Sequence, residues 1–154
     1  MSYAGFWKRF AAYLIDTLII GCVLGIFSLV FGIGLFSAIF SADMASMSED
    51  EAAAVAAGMV GGMISFFFML SIAQWLYFAL MESSSKQATL GKMALSIIVT
   101  DMNGNRISFG RATGRYFGKI LSGLILSIGY IMAGFTEKKQ ALHDMIAGCL
   151  VVNK

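Results

Sequence analysis

The chain has 154 residues, 58% of them hydrophobic and 13% charged, with a net charge of +2. Soluble domains carry roughly 25% charged residues, so this balance, with a mean hydropathy of +0.80, excludes a large soluble domain and points to an integral membrane protein. The small positive charge gives no footing for nucleic-acid binding, and the two cysteines, Cys22 and Cys149, make no disulfide framework.

The first predicted element is a transmembrane helix over about residues 10–40. From Thr17 to Phe40 it holds 24 residues without a charge, about 36 Å of helix against a hydrocarbon core of roughly 30 Å. That is too long for the apolar region of a signal peptide. Asp16 lies within the apolar run that begins at Phe10. A carboxylate there is expensive, faces protein or a water-filled cavity, and marks function by default. Arg9 lies seven residues earlier on the same helical face, so an Arg9–Asp16 pair is expected. Gly21, Gly25, Ser28 and Gly32 form a stripe suited to close helix contact.

An acidic loop with Asp43, Glu49, Asp50 and Glu51 follows. The second span is predicted over about 59–81, inside the uncharged run Ala52–Met81, with a second small pair at Gly58 and Gly62. Gln74 is its strongly polar side chain and is expected to hydrogen-bond to a neighbouring helix. Ser71, Gln74, Phe78 and Glu82 share one face.

From Glu82 to Lys119 the chain carries Lys86, Lys92, Arg106, Arg111, Arg115 and Lys119 against Glu82 and Asp101. The positive-inside rule puts this segment and the N-terminus in the cytoplasm and the acidic loop outside. Asn103-Gly104 between β-branched and aromatic runs signals a cytoplasmic β-hairpin over about 95–109. Arg111, Arg115 and Lys119 recur at i, i+4 and i+8, and are read as anchors to anionic lipid headgroups.

The third apolar segment, about 116–136, either spans or re-enters. Its uncharged core, Ile120–Thr136, has 17 residues, the lower limit for a simple span. A break near Ser127-Ile128-Gly129 is the favoured reading, because irregular backbone at depth is tolerated when buried in protein. Cys149–Val152 then returns as a further strand beside the hairpin, with the C-terminus cytoplasmic. The expected fold is an all-α membrane protein: two full transmembrane helices, a third spanning or re-entrant segment and a small cytoplasmic β-hairpin, in a single domain.

Three motifs carry a family resemblance. They are Trp7-Lys8-Arg9 through Asp16, Thr89-Leu90-Gly91-Lys92, and Gln140-Ala141-Leu142-His143-Asp144 through Gly148. In this order and spacing the chain resembles, from about Gly5 to Val152, the RDD family of small bacterial membrane proteins, named for one arginine and two aspartates. The resemblance implies that these are Arg9, Asp16 and Asp144, and that cation/proton antiport in the inner cell membrane is a candidate activity. Cys149 stands where the family often has threonine.

In a transport reading Asp16 and Asp144 bind a proton or monovalent cation, Arg9 tunes their pKa, His143 relays protons and Gln74 adds a neutral oxygen. In the alternative reading the same residues fix helix register and cap helices in a non-transporting scaffold or assembly module for a partner. Three or four short helices enclose a path only as a homo-oligomer or with a partner membrane protein. No catalytic motif, metal-ligand cluster or cofactor fingerprint is present in the sequence, so no enzymatic activity, metal or cofactor is expected.

Overall fold

The structure is a computed structural model that describes residues 2–41, 47–124 and 128–154. Asp43 of the acidic loop and Ser127 of the expected break lie outside the described residues.

Helix α1 runs Phe6–Ser41 and α2 runs Glu49–Ser83. Both are long and apolar enough to cross a membrane. Helix α2 starts well before the predicted span because of its cap. The Ser48 hydroxyl accepts the Glu51 N–H, and the Glu51 carboxylate accepts the Ser48 N–H at 2.9 Å. This reciprocal capping box, with Glu49, Asp50 and Glu51 in the first turn, suits the positive end of the helix dipole.

The polar segment after α2 folds into a short helix α3 (Leu90–Ala94) and a strand β1 (Ile97–Asp101). The Asn-Gly turn forms as the sequence suggests. Asp101 Oδ1 accepts the N–H groups of Asn103 and Asn105, each at 2.8 Å, and Gly104 takes a φ of +87°. The small antiparallel sheet is present, but residues 106–108 do not supply its second strand. The partner is β2 (Cys149–Asn153), in register from Ile97↔Asn153 to Asp101↔Cys149. Ser108 explains the loss of the local arm: its hydroxyl accepts the Arg111 N–H and starts helix α4 (Phe109–Leu124) there. Cys149, Leu150 and Val151 are uniformly buried, as is Val99, which the exposed face of a free hairpin would not allow. Tyr3 bridges to Val152 on the other edge of β2, and the Asn153 N–H donates to Ser2 O at 2.8 Å.

The third apolar segment is bent. Helix α4 is followed by α5 (Ile128–Ile131) and a 3-10 turn (Met132–Gly134), whose direction departs from α4 by 117°. Helix α6 (Leu142–Ala147) then packs on α4, and Gly148, at φ +61°, makes the left-handed step into β2. The chain from Phe109 to Ala147 therefore leaves and rejoins the same sheet.

Two compact units result. One comprises residues 1–18 and 74–154; the other comprises residues 19–73. The first holds the core of the protein, with Ala4, Ala12, Ala79, Ile97, Val99 and Val151 at its centre. In the second, Phe31 and Phe66 stack at 4.2 Å, while Gly21, Gly25, Gly32, Gly58 and Gly62 face open space. The small-residue stripes thus make no close contact with the described residues.

Candidate functional site

The charges that the sequence scatters over the first unit converge in its interior. The turn Thr89–Gly91 lies against α1 at Asp16, which is 1% exposed. Asp16 Oδ1 accepts the Tyr77 hydroxyl at 3.0 Å and the Gly91 N–H at 2.8 Å; Oδ2 accepts the Thr89 hydroxyl at 2.5 Å. Thr89 occupies the N-cap of α3, where such a hydroxyl normally serves its own helix, but here it is committed to Asp16 and makes no cap bond. Gly91 is required by proximity: a Cβ there would meet Ala12 O and lie 2.9 Å from Asp16 Cγ.

The expected Arg9–Asp16 pair does not form. Arg9 pairs with Asp144, which lies in the first turn of α6, and its Nε donates to Ala4 O at 2.9 Å. Asp144 is fully buried. Its Oδ1 accepts both Nε and Nη2 of Arg115, each at 2.7 Å, and its Oδ2 accepts the Ala141 N–H at 3.1 Å besides Arg9. The cap is therefore made from the third helical position, not from the residue before the helix. Burial alone would raise the Asp144 carboxyl, but Arg115, His143 and Arg9 hold it well below the usual carboxylate range.

Arg115 continues the network. Its Nη1 donates to Glu82 Oε2 at 2.7 Å, and Glu82 Oε1 accepts Lys92 at 2.5 Å with Lys119 at 3.4 Å. Lys119 also sits 4.3 Å from the centre of the Phe78 ring. Burial lowers the Lys92 ammonium, and Glu82 opposes this. The reading of Arg115 and Lys119 as anchors at the membrane surface is thus corrected: Arg115 is buried and both point inward to Glu82, leaving Arg111 exposed. The i+4 spacing was right, but that face of α4 turns inward, where Ala112, Arg115, Gly118 and Ser122 are buried.

His143 is buried beside the network, with Nδ1 3.3 Å from Ser122 Oγ and its ring 5.1 Å from that of Tyr130. Gly118 permits this approach, since a Cβ there would lie 3.1 Å from His143 Cβ. Burial pushes the imidazole down to about 3, against the pull of Asp144, so it is neutral at physiological pH. Gln74 is exposed and stands outside the cluster; the polar reach of α2 comes from Tyr77 and Glu82 instead.

A cavity of about 520 Å³ lies within this unit, inside the range of small-molecule sites. Arg9, Lys92, Arg115 and Lys119 line it together with Asp16, and Phe10, Tyr13 and Ile131 are among its apolar walls. Among the described residues no group of histidine, cysteine and carboxylate side chains fits a metal.

The family model of the RDD family matches residues 3–148, and this stretch carries Arg9, Asp16 and Asp144 with every other member of the network. The chain belongs to the RDD family. The chain is similar to two proteins of Bacillus subtilis strain 168. YxaI, an uncharacterised protein, is 39% identical over 98% of this chain and 97% of its own. YteJ, an uncharacterised membrane protein, is 32% identical over 99% of this chain and 82% of its own. No solved structure matches this RDD protein. In it the named arginine serves the second aspartate, and the first aspartate is held by neutral donors. Glu82, Lys92 and Arg115 complete the network, and sequence reasoning gave none of them a site role. The Thr-Leu-Gly-Lys motif, the position of Glu82 on a shared helical face and the i, i+4, i+8 spacing through Arg115 were the hints to them.

Proposed function

We propose that this RDD protein is a non-enzymatic, non-transporting module of the cell membrane that binds and positions a partner or ligand through its first unit. One observation carries the reading: Asp144 has no acceptor capacity left for a travelling ion. An ionised carboxylate offers about four acceptor sites, and Arg9, the two Arg115 donors and the Ala141 N–H occupy them. A cation would have to displace a guanidinium in a region already rich in positive charge. His143, neutral and inside the fold, is a poor proton relay at physiological pH. The positive-inside pattern puts the network on the cytoplasmic side, with exposed Arg111 available to headgroups. The open glycine faces at Gly21, Gly25 and Gly58 suit a second copy or a partner membrane helix.

Cation/proton exchange keeps one supporting feature, since Asp16 lines the cavity and meets neutral donors only. Liposomes holding the purified protein, given a pH gradient and a sodium or potassium pulse, discriminate the two. The module reading expects flux no higher than in empty liposomes. Cation-dependent proton flux that disappears in Asp16→Asn would replace it with exchange.

A further inference from the structure

We propose that the cavity of the first unit holds the head of one singly charged phosphodiester lipid, with its acyl chains against Phe10 and Tyr13. This goes beyond the binding-module reading, which stands without it. Charge balance points to an anion. Arg9, Lys92, Arg115 and Lys119 surround the cavity; Glu82 and Asp144 are the carboxylates they pair with, and Asp16, held by neutral donors, is the carboxylate of the lining itself. Four cations against three carboxylates leave one positive charge uncompensated, and a lone buried charge is costly without a counter-ion. One monoanion restores neutrality.

Free donor capacity lies at the same place. Arg9 Nη2 is buried and has no hydrogen-bond partner, although Arg9 lines the cavity. Lys119 has Glu82 as its ion-pair partner only at 3.4 Å, so its ammonium is loosely held. A guanidinium edge and an ammonium together match the oxygens of a phosphodiester. The wall is apolar. Phe10, Tyr13 and Ile131 line the cavity and are themselves 42%, 54% and 46% exposed. Phe10 and Tyr13 lie on α1, which is long and apolar enough to span the membrane, and Ile131 lies on α5, so acyl chains are at hand there and a free inorganic anion is not favoured.

The full-length protein, stripped of lipid in mild detergent, is examined by native mass spectrometry with dioleoyl phosphatidylglycerol, dioleoyl phosphatidylcholine, oleate or inorganic phosphate. The expected result is one phosphatidylglycerol per chain, held about tenfold more tightly than phosphatidylcholine, the scale of one charge-assisted contact. Lys119→Ala should abolish that preference. Gly123→Leu leaves every charge in place: Gly123 lines the cavity and an added Cβ meets nothing within 4 Å. It should lower retention of both phospholipids. Equal retention of the two phospholipids, or a preference unchanged in Lys119→Ala with retention unchanged in Gly123→Leu, overturns the proposal. So does occupancy by oleate or phosphate as tight as by phosphatidylglycerol. Liposome flux would refute the module reading and leave this one intact.

Discussion

Asp144 faces two guanidinium groups while Asp16 faces only neutral donors, and this difference sets what a substitution does at each. Asp144→Asn removes the one negative charge between Arg9 and Arg115 and leaves both cations buried. Breaking a buried pair in this way costs about 3–5 kcal/mol. Asp16→Asn keeps an oxygen for one or two of the three donors and should cost about 1–3 kcal/mol. Melting curves in detergent should therefore rank wild type above Asp16→Asn, and Asp16→Asn above Asp144→Asn; the reverse order of the two variants would refute this account. His143 adds a pH dependence of known sign. Its folded value of about 3 lies below the ordinary imidazole value of 6.5, so the unfolded chain binds the extra proton between them. Stability is complete above about 6.5 and falls as pH drops towards 3, by up to about 1.4 kcal/mol per pH unit. Asp144, also depressed, adds its loss only below the ordinary carboxylate range. Melting temperature measured from pH 7 to 4.5 should decline in wild type and stay flat in His143→Gln.

At the scale of elements, the start of α3 packs so closely on α1 at Gly91 that a side chain there has no room. Gly91→Ala would push against Ala12 O and Asp16, and overpacking of this kind costs about 1–3 kcal/mol. Gly114→Ala, with nothing within 4 Å of the new Cβ, is the matched control in another helix. Thermal melting should fall for the first and not for the second; equal behaviour would mean that the turn yields. This contact also marks the limit of the sequence. The two long helices were legible because hydropathy alone decides them, and the bend in the third segment because its apolar run is short. The Asn-Gly turn was legible from local backbone preference. The return of Cys149–Val152 to the sheet was legible as well, but its pairing with β1 in place of the 106–109 arm was not, since it joins residues some fifty positions apart and depends on burial of both. A still larger separation hid the partner of Arg9. Helical spacing puts Arg9 and Asp16 on a common face, but only the packing of α6 brings Asp144 to the guanidinium.

For the whole molecule, the most consequential feature is that both ends of the chain meet at one small sheet. Tyr3 bridges to Val152, Asn153 donates to Ser2, and Lys8 reaches the Asn153 side chain at 2.7 Å. These contacts hold only if the first and last residues lie on the same side of the membrane. If both long helices cross, we expect the 109–147 segment to make no net crossing. The excess of lysine and arginine between residues 82 and 119 leads us to expect the charged network on the cytoplasmic side. The expectation can be tested in a Cys22→Ser background, with Ser2→Cys and Lys154→Cys introduced singly and exposed to a membrane-impermeant thiol reagent. Both positions should stay unlabelled in intact cells and react in inverted vesicles. Opposite labelling of the two ends would break the sheet arrangement itself. Joint labelling from outside would keep the arrangement and reverse the orientation, removing the cytoplasmic setting in which Arg111 can reach anionic headgroups.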